Sequence, residues 1–177
     1  MESLFLHEAI PGHHYQGSIQ SENLSLPAFR KFIWYGAYGE GYALYCESLG
    51  KELGLYTDPY QLLGALGDEI HRAIRLVVDV AIHTGKMTRE EAINYMMQNE
   101  AISEDGAVAE IERYMVNPGQ ALSYKTGSLK IWELRNKYSN ILGDKFNLAS
   151  FHDEFLKDGC MPLDIIERSM DEWANKQ

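Results

Sequence analysis

Cysteine is scarce in this chain of 177 residues, and the two present, Cys46 and Cys160, carry little information. Cys46 falls in a predicted helix and reads as a small buried hydrophobe rather than a redox or ligand residue; pairing with Cys160 stays open. Basic residues are also in the minority. Sixteen Lys and Arg against 26 Asp and Glu give a formal net charge of -10, with a pI near 5.0. Nucleic acid and anionic membranes both demand a basic surface, so neither is expected as a partner. No apolar run approaches the roughly 18 residues of a membrane span. The opening Met1-Glu2-Ser3-Leu4-Phe5-Leu6 lacks a basic segment and a cleavage site. It is therefore not read as a signal peptide, which points to the cytoplasm if the chain is complete. Sustained strand alternation, repeats and low-complexity tracts are absent too. What remains, 45% hydrophobic and 24% charged, has the make-up of one globular domain long enough to bury a core.

Helical signals fill it. Thr57-Asp58-Pro59 is a cap followed by a first-turn proline, and the apolar positions Leu62, Leu63, Leu66, Ile70, Ile74, Val77, Val78 and Ala81 keep helical spacing to Gly85. Thr88 and Glu91 form a capping box for a helix to about Gln98. Ser103 opens another, ending at Asn117-Pro118-Gly119. Further helices are predicted from Gln120 to Tyr138, Ala149 to Leu156, Leu163 to Ala174 and, upstream, Glu40 to Leu53. The expected class is all-α: an irregular multi-helix domain.

Within it, His7-Glu8-Ala9-Ile10-Pro11-Gly12-His13-His14 resembles the start of a zinc-peptidase helix with the wrong spacing. Such helices set two histidines four apart, with a Glu after the first to activate water. Here the fourth position is Pro11. At about 100° per residue, His13 would point about 120° away from His7, and His14 would lie about 10 Å along the axis. Pro11 cannot donate to the His7 carbonyl, and Gly12 tolerates unusual dihedrals, so the pair favours a bulge that brings a later histidine back. The alternative is a kinked helix with surface histidines. A third ligand is offered by Gly39-Glu40-Gly41-Tyr42-Ala43-Leu44-Tyr45-Cys46-Glu47, where Glu40 and Glu47 share a helix face and small residues permit close helix approach. Solvated glutamates beside core tyrosines are the competing reading.

Together these segments resemble the bacterial family called domain of unknown function 885. Arg75-Leu76-Val77-Val78-Asp79 with Ile82-His83, Asn117-Pro118-Gly119-Gln120-Ala121 with Ser123-Tyr124-Lys125, and Phe151-His152-Asp153 with Pro162-Leu163 extend the likeness along nearly the whole chain. Met87 departs from the family pattern, which usually has Trp there. The resemblance implies a gluzincin-like all-α zinc peptidase, with residues 1–177 as the C-terminal catalytic part of a longer architecture. Carried onto this chain, it implies zinc held by His7, His13 and Glu40, with Glu8 as general base. His14 stays open as a substitute for His13. Tyr124 is implied as oxyanion donor, beside the alternative of a core tyrosine. Asp79 and His83, four apart, would form an oriented imidazole for substrate or transition state, or a structural pair; Arg75 would bind a peptide carboxylate. Glu47 would orient a ligand histidine. His71 and His152 read as surface or packing residues. The functional expectation is peptide hydrolysis. Its rival is an inactive, truncated helical remnant serving as a binding or interaction module, with a homodimer as one form of it.

Overall fold

Ten helices and no strand make up the computed structural model, which describes residues 1–177: α1 (Glu2–Glu8), α2 (His13–Glu22), α3 (Ala28–Phe32), α4 (Gly36–Ser48), α5 (Pro59–His83), α6 (Arg89–Asn99), α7 (Glu104–Val116), α8 (Ser123–Leu142), α9 (Leu148–Leu156) and α10 (Leu163–Ala174). The all-α expectation holds. None of the helices is long and apolar enough to cross a membrane.

Side-chain caps set the starts of α5, α6, α7 and α9. The Asp58 side chain accepts the Tyr60 N–H in a reciprocal box with Gln61, with Pro59 in the first turn of α5. Thr88 and Glu91 do the same for α6, and Ser103 accepts the Gly106 N–H at the start of α7. Two helices differ from expectation at both ends. Gln120–Leu122 is a 3-10 turn ahead of α8, which runs on to Leu142. Helix α4 begins at Gly36 and stops at Ser48, earlier at both ends than the predicted Glu40–Leu53. Its glycines weaken the helix signal yet serve packing. A Cβ on Gly41 would lie 2.4 Å from Gly127 Cα, and one on Gly39 would lie 2.0 Å from the Trp34 ring. The small residues around Glu40 thus let α4 approach α8 and Trp34.

Two apolar clusters flank the site. One joins α4, α8, α9 and α10 through Tyr38, Tyr42, Ile131, Phe155 and Met170. The other joins α5, α6 and α7 through Ile74, Val78, Met96 and Ile111. Both cysteines are free and buried, Cys46 in the first cluster as expected of a small hydrophobe. Helix α4 packs against α8 and is also touched by α1, α2 and α5.

Candidate metal centre

The site begins with a break in the backbone. Helix α1 ends at Glu8, Ala9–Gly12 leave helical geometry through a cis Ile10–Pro11 bond, and α2 starts at His13. The Ala9 carbonyl accepts from the Tyr15 N–H at 3.3 Å, six residues on instead of the four of an unbroken helix. Two residues are therefore inserted, the same excess that separates the His7–His13 spacing from the usual four. The expected bulge is a complete break between two helices. Gly12 is needed for clearance: its φ is -73°, and a Cβ there would fall 1.9 Å from the His7 carbonyl oxygen and 2.4 Å from that of Leu6.

Across this break His7 and His13 meet Glu40 of α4. Glu40 Oε2 lies 3.2 Å from His13 Nε2 and 3.6 Å from His7 Nε2, and one ligand atom from each residue falls within 4.8 Å of the others. Zinc bonds of 2.0–2.2 Å at tetrahedral angles place ligand atoms about 3.3–3.6 Å apart. The two distances to Glu40 are close to this separation, and two imidazole nitrogens with a carboxylate oxygen are a donor set that suits such an ion. His14 is exposed and outside the group.

His7 is buried, and Glu47 turns it. Glu47 Oε1 sits 2.6 Å from His7 Nδ1, leaving Nε2 towards Glu40 and His13. Behind Glu47, the Ser3 hydroxyl lies 2.9 Å from Glu47 Oε2 and 2.7 Å from Asp68 Oδ2, and its single proton serves one at a time. Burial alone would pull the His7 pKa down, but the hydrogen bonds with Glu40 and Glu47 outweigh it and hold the pKa at about 9. For Glu40, burial pushes up while His13 and His7 pull harder, giving about 2. Both shifts come from the pairing of the histidines with the carboxylates, and a bound metal ion would take the place of the His7 proton. A cavity of about 150 Å³ beyond Glu47, lined by Leu44, Tyr56, Leu62 and Trp132, reaches none of the three.

On the face of His7, the Tyr124 ring stacks at 6.1 Å between centroids. Its hydroxyl lies 3.5 Å from Gln120 Nε2, and Gln120 Oε1 accepts from Arg75 at 3.3 Å. Glu8 follows His7 with an exposed carboxylate that makes no bond within the chain. His83 and Asp79 are not brought to the group. His83 lies about 12 Å further along α5 than Arg75; its Nε2 faces the Tyr114 carbonyl at 3.1 Å, with Asp79 at 3.8 Å. Asp79 instead accepts the Gly119 N–H at 3.2 Å, where Gly119 takes φ +81°. This pair anchors the α7–α8 connection. Of the two remaining histidines, His71 sits between Glu100 and Glu110 and His152 against the Tyr45 hydroxyl.

A family model described as bacterial protein of unknown function (DUF885) matches residues 1–170. The chain belongs to this family. Two solved structures resemble this DUF885 chain. The crystal structure of a "putative lipoprotein" from Colwellia psychrerythraea matches with a TM-score of 0.97 and 47% identity, over 99% of this chain and 30% of that one. A "putative lipoprotein of unknown function" from Shewanella oneidensis matches with a TM-score of 0.86 and 31% identity, over 96% of this chain and 31% of that one. The chain spans about a third of the length of either. No curated protein matches. Ser3, Asp68 and Arg72 went unnoticed in the sequence. Ser3 precedes His7 by four and Arg72 precedes Arg75 by three, so helical spacing alone would have placed both on faces already singled out.

Proposed function

We propose that this DUF885 domain carries the metal centre of a zinc peptidase of the gluzincin-like, all-α kind, hydrolysing peptide bonds. The observation that carries the reading is the convergence of His7, His13 and Glu40, whose ligand atoms lie within 4.8 Å of one another, with Glu47 held on His7 Nδ1 so that Nε2 faces the group. Zinc, when bound, supplies Lewis-acid polarisation of a carbonyl and a more acidic water. The chain supplies the rest. Glu8, exposed and unpaired beside His7, takes the proton of the attacking water and passes it to the leaving amine. The Tyr124 hydroxyl is the nearby donor proposed for the developing oxyanion. The lipoprotein names of the two relatives favour the cell envelope over the cytoplasm as the place of work. Because those relatives are about three times as long, the full activity is proposed for the family-length protein.

The test is zinc content after purification without chelator, with titration of the chain and of His7→Ala, His13→Ala and Glu40→Ala. A peptide library follows, read by mass spectrometry, with Glu8→Gln as control. No zinc retained and none taken up would end the reading. Zinc uptake without cleavage by the family-length protein would favour the second reading, a helical interaction module that pairs with another copy. That reading draws on the uncovered apolar face of α5, where Tyr60, Leu63 and Leu66 are 82%, 64% and 52% exposed. Mass measured against concentration tests it directly.

A further inference from the structure

The Tyr124 ring that stacks on His7 also carries two guanidinium groups. Arg72 Cζ lies 4.7 Å and Arg75 Cζ 4.3 Å from its centroid. Arg75 is only 1% exposed and holds Gln120 through one nitrogen, while its Nε has no hydrogen-bond partner. Arg72 is half-buried and makes no hydrogen bond within the chain; its Nε too is buried and unpaired.

This is unusual in a chain with 26 carboxylates. Arg89, Arg113, Arg135 and Arg168 each have an acidic partner, and Arg30 donates to the Asp158 carbonyl. Arg72 and Arg75 alone are held in a partly dry site without an anion, although burying an unpaired charge is costly. Stacking on Tyr124 offsets part of that cost and leaves the fork of Arg72 open. Burial pushes the Arg75 guanidinium below its ordinary value, and the charges of Arg72 and Arg113 push the same way. The pair also neighbours His7, since both arginines lie over the ring whose centroid is 6.1 Å from that of His7. The observed geometry is therefore a cationic seat, two guanidinium groups without an anion on the same ring that stacks against His7.

We propose that Arg72, backed by Arg75 and Tyr124, binds a carboxylate of the substrate, so that the peptidase selects peptides presenting a carboxylate next to the bond it cuts. This rests on the peptidase reading for its function but not for its geometry. A guanidinium fork matches a carboxylate with two parallel N–H···O bonds, which an amide cannot reproduce. Arg75 is a positioning residue: buried, stacked on Tyr124 and bonded to Gln120, it fixes both and adds charge. The carboxylate has two possible sources, the free C-terminus of a peptide or an Asp or Glu side chain.

The experiment measures equilibrium binding of three probes to the full chain carrying Glu8→Gln, so that no turnover intrudes. The probes are acetyl-tetraalanine with a free C-terminus, the same peptide as its C-terminal amide, and that amide with one alanine replaced by glutamate. The free acid is expected to bind at least tenfold more tightly than the plain amide, and Arg72→Gln should bring the ratio to about one. Arg72→Lys, which keeps the charge but not the fork, should recover part of it. Binding of the glutamate amide as tight as that of the acid would support the seat and assign it to an acidic side chain. Equal binding of all three, no binding of any, or a preference unchanged in Arg72→Gln would overturn it. Circular dichroism and thermal unfolding establish that each variant is folded, and Arg72→Lys carries the test if Arg72→Gln is not. Zinc titration in parallel separates the two claims. Normal zinc uptake without a carboxylate preference removes only the seat. A preference without zinc uptake keeps the seat and removes the peptidase reading.

Discussion

Replacing Gly12 with alanine tests the idea that the helix break, rather than either helix, builds the proposed metal centre. The new Cβ would stand 1.9 Å from the His7 carbonyl oxygen, where real Cβ contacts keep to 3.0 Å or more. The α1–α2 junction must then open by about 1 Å, because a close-packed interior has no slack to absorb the clash. The atom pushed belongs to His7 itself, so the shift acts directly on one ligand while α2 carries the other. Zinc sites hold their bond lengths to about 0.2 Å. A displacement several times larger should lower zinc affinity by about 100-fold, equivalent to about 2.7 kcal/mol. Overpacking should also destabilise the fold by about 1–3 kcal/mol, lowering Tm by roughly 3–10 °C. Competition titration against a zinc chelator and thermal unfolding read the two effects. Gly17→Ala is the matched control, since a Cβ there meets nothing within 4 Å. It should stabilise α2 by about 0.5–1 kcal/mol and leave zinc binding alone. If Gly12→Ala binds zinc as tightly as the parent chain and melts with it, clearance at Gly12 is not what sets the His7–His13 geometry.

Glu47→Gln leaves His7 Nδ1 an acceptor without the charge and should weaken zinc binding about tenfold, Glu47→Ala about 100-fold, with His14→Ala unchanged; the same competition titration checks all three. Gly127→Ala would put a Cβ 1.9 Å from the Ala37 carbonyl oxygen and 2.7 Å from Gly41 Cα, so α4 and α8 must part, at about 3 kcal/mol in chemical denaturation. His152 gives a pH dependence: burial, helped by the charge of Arg135, holds its pKa down from 6.5 to about 4. Its contribution to stability is complete above pH 6.5 and is lost as pH falls towards 4, because the unfolded chain takes up the proton first. About 2 kcal/mol should disappear over that interval after allowing for partial exposure, and His152→Gln should flatten that part of the denaturation profile measured against pH.

The helices that sequence reading placed best are those whose ends are chemical. Asp58, Thr88 and Ser103 accept N–H groups of the first turn, an interaction local enough to be written into three or four residues. Helix α4 was placed less well because its glycines answer to distant partners, Gly41 to Gly127 and Gly39 to Trp34, which no local window contains. Helix α3, five residues long and without a side-chain cap, left no periodic signal. At the site, the pattern of Pro11 and Gly12 announced an interrupted helix, but not that Ala9 and Tyr15 would bridge it or that His13 would be the histidine returned. Glu47 was legible from its spacing to Glu40. His83 was misleading for the same reason: a His four residues after an Asp looks oriented, but its partners are the Tyr114 carbonyl and a connection pinned through Gly119.

The arrangement of charge around His7 gives these parts a common direction. The two nitrogens at the edge of the imidazole face carboxylates, Glu47 at Nδ1 and Glu40 at Nε2. The face of the ring meets Tyr124, and the Tyr124 ring also carries Arg72 and Arg75. Acid therefore gathers at the edge, where a cation fits, and positive charge around Tyr124, where an anion fits. The Asp79–Gly119 bonds gain meaning in this setting. By fixing the connection that leads into Gln120, they hold the side chain that joins Arg75 to Tyr124. Asp79 thus acts on the site at second hand, through the backbone, while His83 stays outside it. A bound peptide that set its carbonyl at the acidic edge and a carboxylate on the arginines would lie in one direction only. Cleavage sites would then be chosen by their distance from that carboxylate more than by the side chains between.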